Sequence, residues 1–188
     1  GNADAGEPPA RAGYPPSVFA ELPRLLERAG TDARGSITAV YTVLVEGDDH
    51  NEPVADEARS ILDGHVVLSA ERAGRGLFPA IDIARSASRV MTRVASTDHV
   101  AASRHARSLL GAYERERDLI LLGAYESGTD DLVDEAVAKV PAIETFLAQR
   151  PDENEPFAAS VAAVESFALP LDSTQDETSA ETDDWDYD

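Results

Sequence analysis

The sequence predicts an α/β domain followed by a smaller domain made only of helices. Residues 35–45 and 65–69 are rich in β-branched side chains, which is typical of buried strands, and a helix-like segment at 53–63 separates them. A strand, a helix and a strand in this order form a βαβ unit, which favours a mostly parallel sheet covered by helices. From about residue 98 the chain shows only helical patterns.

These observations predict three regions. Residues 1–97 are expected to form part of an α/β core, residues 98–170 a helical domain, and residues 171–188 a disordered tail. The tail carries eight acidic residues and no basic one, and it has too little apolar content to pack. Two strands alone would leave the edges of a sheet unpaired, so we expect another segment or a partner chain to complete it.

The spacing of leucines predicts a helix around Leu22 and Leu26, with Pro23 in its first turn and Gly30 just after its end. In the helical part, a long amphipathic helix is expected from about His99 and is expected to close at Gly123. Three shorter helices are predicted beyond it, covering residues 130–140, a segment begun by Pro141, and residues 156–168.

Charge and composition exclude several classes of function. The chain of 188 residues has 36 acidic and 16 basic residues, a net charge of −20, and such a surface repels the phosphates of nucleic acids. There is no cysteine, which excludes disulfides, thiolate zinc sites, iron–sulfur clusters and cysteine nucleophiles.

We expect no metal site in the chain. The acidic loop EGDDHNE at 46–52 does not have the ligand spacing of a calcium loop, and we interpret it as a solvated turn. His65, His99 and His105 do not follow metal-ligand spacing and are expected to be structural or solvated.

Three stretches of sequence carry a specific resemblance. They are GEPPARAGYPPSVFAELPRLLERAG, GSITAVYTVLVEGDDHNEPVADEARSILDGHVVLS and GLFPAIDIARSASRVM, in this order. Over residues 6 to about 149 the chain resembles the flagellar and type III secretion export ATPases, which are relatives of the α and β subunits of rotary ATP synthases.

This resemblance implies that the chain is the C-terminal portion of a RecA-like ATPase core, followed by that family's helical domain. It implies a homohexameric ring that hydrolyses ATP with magnesium and so energises protein export, at the cytoplasmic face of the inner membrane. The implied partners are export chaperones and substrates, and the stalk and regulator proteins of the export apparatus. Association with the membrane would be peripheral, through the apparatus.

The residues also set a limit on catalysis. A phosphate-binding loop requires the pattern G-x-x-x-x-G-K-[ST], and the only lysine, Lys139, follows no glycine-rich segment. The family's magnesium-associated aspartate and catalytic carboxylate belong to stretches that these 188 residues do not include. We therefore expect this chain to be inactive as an ATPase by itself.

The resemblance implies a role for one arginine. Arg89 in SASRVM matches the family's arginine that reaches across the subunit interface to a neighbour's nucleotide. A planar guanidinium stabilises the charge that develops on the γ-phosphate during phosphoryl transfer. The simpler interpretation is a structural salt bridge, and the motif match favours the catalytic one.

Phe78 in GLFPAID matches an aromatic position that packs near adenine in this superfamily. Phe157 or Phe146 is expected to close the other side of that pocket. An aromatic residue followed by proline is also common in a plain hydrophobic core.

Two hypotheses about function remain open at this point. The first is the C-terminal portion of an export ATPase that supplies the Arg89 side of a nucleotide site. The second is a short noncatalytic module that docks on ring subunits or on export chaperones. They differ in whether a polypeptide with a phosphate-binding loop accompanies these residues; a third, weaker alternative is the product of a decaying gene that hardly folds.

Overall fold

The computed structural model describes residues 14–45, 47, 49 and 51–170. The chain divides into two compact units, with the boundary between Val94 and Ala95. The tail predicted at 171–188 lies outside the described residues.

The described part of the first unit contains four helices and four short strands. Its elements are α1 (Pro16–Leu26), β1 (Gly30–Asp32), β2 (Gly35–Ile37), α2 (Pro53–Ile61), β3 (Gly64–Leu68), α3 (Ala70–Gly74), β4 (Ile81–Ser88) and α4 (Met91–Val94).

Helix α1 begins at Pro16, earlier than the sequence predicts, and Pro23 lies inside it. Pro16 occupies the first helical position, where a proline's missing N–H has no helical partner to lose. Helix α1 packs against α2, and Leu26 is its buried residue. Just before α1, the hydroxyl of Tyr14 donates to Oε1 of Glu52, which precedes α2, at 3.0 Å.

The strand predicted at 35–45 is only partly formed, because β2 ends at Ile37. Strand β2 pairs antiparallel with β1, and β3 pairs antiparallel with β4. Among the described residues no two strands pair in parallel, and β2 and β3, the strands of the predicted βαβ unit, do not pair with each other. A strand forms only where a neighbour takes its hydrogen bonds, and Val40 and Leu44 remain 93% and 86% exposed.

The described part of the second unit, residues 95–170, contains three helices. They are α5 (Thr97–Leu121), α6 (Asp131–Leu147) and α7 (Phe157–Ser166), and α5 packs against both others. Gly123 follows α5 with φ 67°, which confirms it as the residue that closes this helix. No helix within the described ranges is both long and apolar enough to span a bilayer.

The buried core residues of the second unit recur at helical spacing and are Leu109, Ala112, Val133, Ala136, Val140 and Ile143.

Pro141 does not begin a new helix, as the sequence predicts, but lies inside α6. A proline in a helix removes one N–H and typically costs about 3 kcal/mol. Here it lies on the exposed side with Val137, whose carbonyl loses its partner where water can reach it. The buried residues Val140 and Ile143, on either side of Pro141, hold both halves of the helix against the core.

The single lysine is a buried structural residue of the second unit. Lys139 is 7% exposed, and its Nζ donates to Oε1 of Glu135 at 2.6 Å. The same ammonium donates to the carbonyls of Phe167, at 2.9 Å, and Leu169, at 2.5 Å, just beyond α7. Nε2 of His105 on α5 lies 2.9 Å from Oε1 of Glu135. This group joins α5, α6 and the end of α7.

Replacing Glu135 with alanine should destabilise the protein. The change leaves the Lys139 ammonium buried with only neutral acceptors, and breaking a buried pair in this way costs about 3–5 kcal/mol. Because the Glu135 side chain is 27% exposed, we expect a smaller loss, about 1–3 kcal/mol. Urea denaturation followed by circular dichroism measures it. The matched control is Glu165→Ala on α7, which should change the free energy of unfolding by less than about 0.5 kcal/mol.

The same pair predicts a dependence on pH. Hydrogen bonds from Lys139 and then from His105 hold the pKa of Glu135 below its ordinary value of 4.5. A carboxyl whose pKa is lower in the folded state than in the unfolded state stabilises the fold at pH values above its unfolded-state pKa. This stabilisation is lost as the pH falls through the folded-state pKa. The stability difference between the parent chain and Glu135→Ala should therefore shrink below about pH 4.5. A difference that stays constant down to pH 3 would contradict this assignment.

Candidate functional site

The hairpin of β3 and β4 fixes the position of Arg89. Gly64 pairs with Ser88 and Leu68 pairs with Ile81, with an irregularity between His65 and Val67. At this irregularity the buried hydroxyl of Ser86 accepts from the N–H of Val67 at 2.9 Å and donates to the carbonyl of Asp82 at 2.6 Å. A side chain thus bridges the interrupted ladder, and the pairing resumes in a shifted register, with His65 opposite Ala87 and Gly64 opposite Ser88.

The end of β4 lies very close to β3. A Cβ at Gly64 would be 2.8 Å from the carbonyl oxygen of Ala87, so this approach requires glycine. Directly after β4, the backbone N–H of Arg89 donates to the carbonyl of Asp63 at 2.7 Å. The backbone of Arg89 is therefore held against the residue that joins α2 to β3.

The guanidinium of Arg89 caps helix α2. Its Nη1 donates to the carbonyl of Ser60 at 3.0 Å, and its Nη2 donates to the carbonyl of Arg59 at 3.1 Å. The last carbonyls of a helix lack helical partners and form the negative end of its dipole, which favours a cation. Arg89 is nevertheless exposed to solvent. Both acceptors are backbone oxygens, which no side-chain motif could have revealed in the sequence.

Phe78 lies between α3 and β4 in the first unit and is 55% exposed. Phe157 is the first residue of α7 in the second unit and is 78% exposed, with its ring 6.4 Å from that of His99. Phe146 packs instead against Phe167, with ring centroids 5.7 Å apart. Phe78 and Phe157 thus have exposed aromatic surface available for a ligand, whereas Phe146 contributes to internal packing.

The three histidines discussed from the sequence, His65, His99 and His105, each contact another residue of their own unit. Nε2 of His65 lies 2.9 Å from the carbonyl of Arg85, across the hairpin, while His99 contacts Phe157 and His105 contacts Glu135. Within the described ranges no three acidic or histidine side chains are grouped to hold a metal ion. The loop at 46–52 lies partly outside these ranges.

Two family models match the chain. The nucleotide-binding domain of the ATP synthase alpha/beta family matches residues 2–88, and the C-terminal domain of the type III secretion ATPase EscN matches residues 95–166. The flagellum-specific ATP synthase of Bacillus subtilis (strain 168) is 50% identical over 163 residues, which are 87% of this chain and 37% of that protein.

Solved structures agree with these matches. The assembled ATPase EscN from the type III secretion system of enteropathogenic E. coli superimposes with a TM-score of 0.83 and 44% identity, over 86% of this chain and 39% of that one. EscN in complex with its central stalk EscO gives a TM-score of 0.76 and 42% identity, over 86% and 38%.

The chain belongs to the family of flagellar and type III secretion export ATPases. It spans just over a third of the length of these relatives. The resemblance seen in the sequence is confirmed, and so is the α/β fold class of a RecA-like core portion with a helical domain. The two family models meet between residues 88 and 95, where the two structural units divide, and Arg89 directly follows the first matched stretch.

Replacing Arg89 with alanine should loosen the end of α2. The loss removes two hydrogen bonds to the carbonyls of Arg59 and Ser60, each worth about 0.5–1.5 kcal/mol. Because Arg89 is exposed, we expect the low end of this range, so amide hydrogen exchange at the last turn of α2, including the N–H of Leu62, should accelerate roughly fivefold to tenfold. Arg93→Ala, an exposed arginine on α4, should leave exchange in α2 unchanged. Equal protection in both variants would show that Arg89 does not stabilise α2.

Proposed function

We propose that this chain supplies the Arg89 side of the nucleotide site in a ring-shaped export ATPase. The observation that carries the proposal is the placement of Arg89. It lies at the exposed end of β4, directly after the stretch that matches the nucleotide-binding domain of the family. In this role the guanidinium acts in trans, on ATP bound by the neighbouring subunit.

The contacts of Arg89 suit this role. Its two guanidinium nitrogens donate to the neutral carbonyls of Arg59 and Ser60. Hydrogen bonds to an ionised acceptor are roughly twice as strong as neutral ones, so phosphate oxygens compete well for the same donors. The fork geometry that spans two adjacent carbonyls also fits two oxygens of one phosphoryl group. Stabilisation of the transferring phosphoryl by such an arginine typically raises the rate by about 10³–10⁵.

Two exposed aromatic residues are proposed for the adenine side of nucleotide sites. Phe78 precedes β4, which also leads to Arg89, and Phe157 begins α7. Much of the surface of both side chains lies in solvent, so packing within their own unit does not account for an aromatic residue at either position. The phosphate-binding loop, the magnesium ligands and the catalytic carboxylate come from other parts of the assembly, in which ATP with magnesium is the cofactor.

The incomplete sheet supports assembly with more polypeptide. Val40, Leu44, Val66 and Leu68 are apolar residues of strand-like sequence that are all more than 60% exposed. An extended, apolar segment of this kind normally pairs with further strands. Completing the sheet would convert residues 38–45 into the buried strand that their sequence predicts.

We propose the partners by relation to the solved relatives. EscN is described as an assembled ATPase and in complex with its central stalk. By the same arrangement this chain would form part of a homohexamer, with its helical unit toward a stalk and toward chaperones, export substrates and regulator proteins. The assembly would lie at the cytoplasmic face of the inner membrane, attached through the export apparatus.

A noncatalytic docking module is the second candidate, and one observation favours it. Lys139, the only lysine, is buried against Glu135 and two carbonyls of the second unit. It cannot hold a phosphate without breaking these bonds. These residues alone therefore supply no phosphate-binding lysine.

Peptide mapping of the protein in its native source distinguishes the two candidates. The first predicts that peptides containing G-x-x-x-x-G-K-[ST] are covalently continuous with the segment that precedes Gly1. A native polypeptide that begins at or near Gly1 would instead favour the docking module. Intact mass of the purified native protein gives the same answer independently.

Substitution of Arg89 tests the site itself. In the assembled ATPase, Arg89→Ala should lower ATP turnover by about 10³-fold or more, while the affinity for nucleotide changes by less than about tenfold. Arg89→Lys keeps the charge but loses the fork, so it should restore little of the activity. The matched control is Arg93→Ala, which should turn over ATP at nearly the parent rate. Unchanged turnover in Arg89→Ala would overturn the assignment.

A further inference from the structure

Helix α2 is short and buries little of its surface. It has nine residues, and an isolated helix of fewer than about 12–15 residues is marginal in water. Its buried residues are Ala55 and Ala58, whose side chains are small. The side chain of Glu52, the N-cap residue, makes no capping hydrogen bond. The stability of α2 therefore depends strongly on how its last carbonyls are satisfied.

Arg89 provides the cap at the last turn of α2. The carbonyl of Ala58 accepts from the N–H of Leu62 at 3.0 Å, which is a backbone bond at the end of the helix. The next two carbonyls, those of Arg59 and Ser60, accept from the guanidinium of Arg89 instead. One side chain thus satisfies two successive carbonyls that a helix end leaves without backbone partners.

The backbone of Arg89 is fixed, whereas its side chain is accessible. The N–H of Arg89 donates to the carbonyl of Asp63 at 2.7 Å, and the close approach at Gly64 holds β4 against β3. The side chain reaches solvent, where rotamer changes take picoseconds to nanoseconds. The guanidinium can therefore exchange its partners by rotation of its own torsions, without movement of β4.

A phosphate and the end of α2 would compete for one pair of donors. Nη1 and Nη2 of Arg89 each donate to a neutral carbonyl of α2. A phosphoryl group that takes the same two nitrogens removes them from the helix, and its ionised oxygens are the stronger acceptors. The carbonyls of Arg59 and Ser60 would then be left to water, and the last turn of α2 would open more often.

We propose that Arg89 is a two-position switch that makes α2 respond to the nucleotide of the neighbouring subunit. It caps α2 when that site holds no γ-phosphoryl group, and it releases the last turn when it binds one. This inference rests on the proposed function and adds a conformational response to it. The start of α2 stays in place, because Tyr14 holds Glu52 there, so the loosening is confined to residues 59–62.

Amide hydrogen exchange in the assembled ATPase tests the switch. The probe is ADP with aluminium fluoride and magnesium, which mimics the transferring phosphoryl group, and ADP with magnesium is the comparison. The N–H of Leu62 should exchange roughly fivefold to tenfold faster with the probe. The N–H of Asp56, which donates to the carbonyl of Glu52 in the first turn, should change less than about twofold. Equal exchange at Leu62 in both states would overturn the proposal, since Arg89 would then keep its cap while it binds phosphate.

A pair of arginine variants shows whether Arg89 carries the response. In Arg89→Ala the cap is absent in both states, so the probe should change exchange at Leu62 by less than about twofold. In Arg93→Ala, at an exposed arginine on α4, the fivefold to tenfold response should remain. A response that survives in Arg89→Ala would show that another group releases α2, and it would overturn the switch.

The coupling should also act in the opposite direction, because linkage between two binding equilibria is reciprocal. Ser60→Gly, at an exposed position in the last turn, weakens the capped helix and should raise the affinity for the probe about twofold. The matched control is Ser108→Gly on α5, an exposed serine whose hydroxyl also donates to a carbonyl of its own helix, and it should leave the affinity unchanged. Fluorescence titration with mant-ADP in the presence of aluminium fluoride and magnesium measures both. An unchanged or lower affinity in Ser60→Gly would overturn the proposal.

Turnover measurements separate this inference from the proposed function. If Arg89→Ala loses ATP turnover while α2 of the parent assembly does not respond to the probe, the switch is wrong and the proposed function stands. If Arg89→Ala turns over ATP at the parent rate, the proposed function is wrong, and the switch is wrong with it.

Discussion

The bond between Arg89 and the last carbonyls of α2 connects the candidate site to the architecture of the first unit. A helix end leaves carbonyls without partners, and the guanidinium of Arg89 satisfies two of them. The backbone N–H of Arg89 donates to the carbonyl of Asp63, just beyond the helix. The two hydrogen bonds hold the exposed guanidinium in one orientation, as a fork. Transfer to a phosphate would release the end of α2. Nucleotide contact and the stability of α2 are therefore expected to be coupled through one side chain.

The helical unit depends on a different polar interaction. Lys139 is surrounded by the Glu135 carboxylate and two carbonyls beyond α7, so it fixes where the chain leaves the core. A hydrophobic side chain of equal volume would pack there, but it could not hold those carbonyls in place. We therefore expect the buried charge to contribute more to the uniqueness of the arrangement than to its net stability.

Sequence patterns correctly predicted a helix end that depends on neighbouring residues. They failed for elements whose structure depends on contacts with residues distant in the sequence. The end of α5 at Gly123 follows from a positive φ that glycine adopts readily, so it could be predicted. The continuation of α6 through Pro141 could not, because contacts of Val140 and Ile143 with the core outweigh the cost of the proline. Residues 38–45 have the composition of a strand, yet strand formation requires a partner in space. The proposed role of Arg89 comes from its motif and stays a prediction, whereas its carbonyl acceptors could not be predicted, since backbone atoms leave no trace in side-chain patterns.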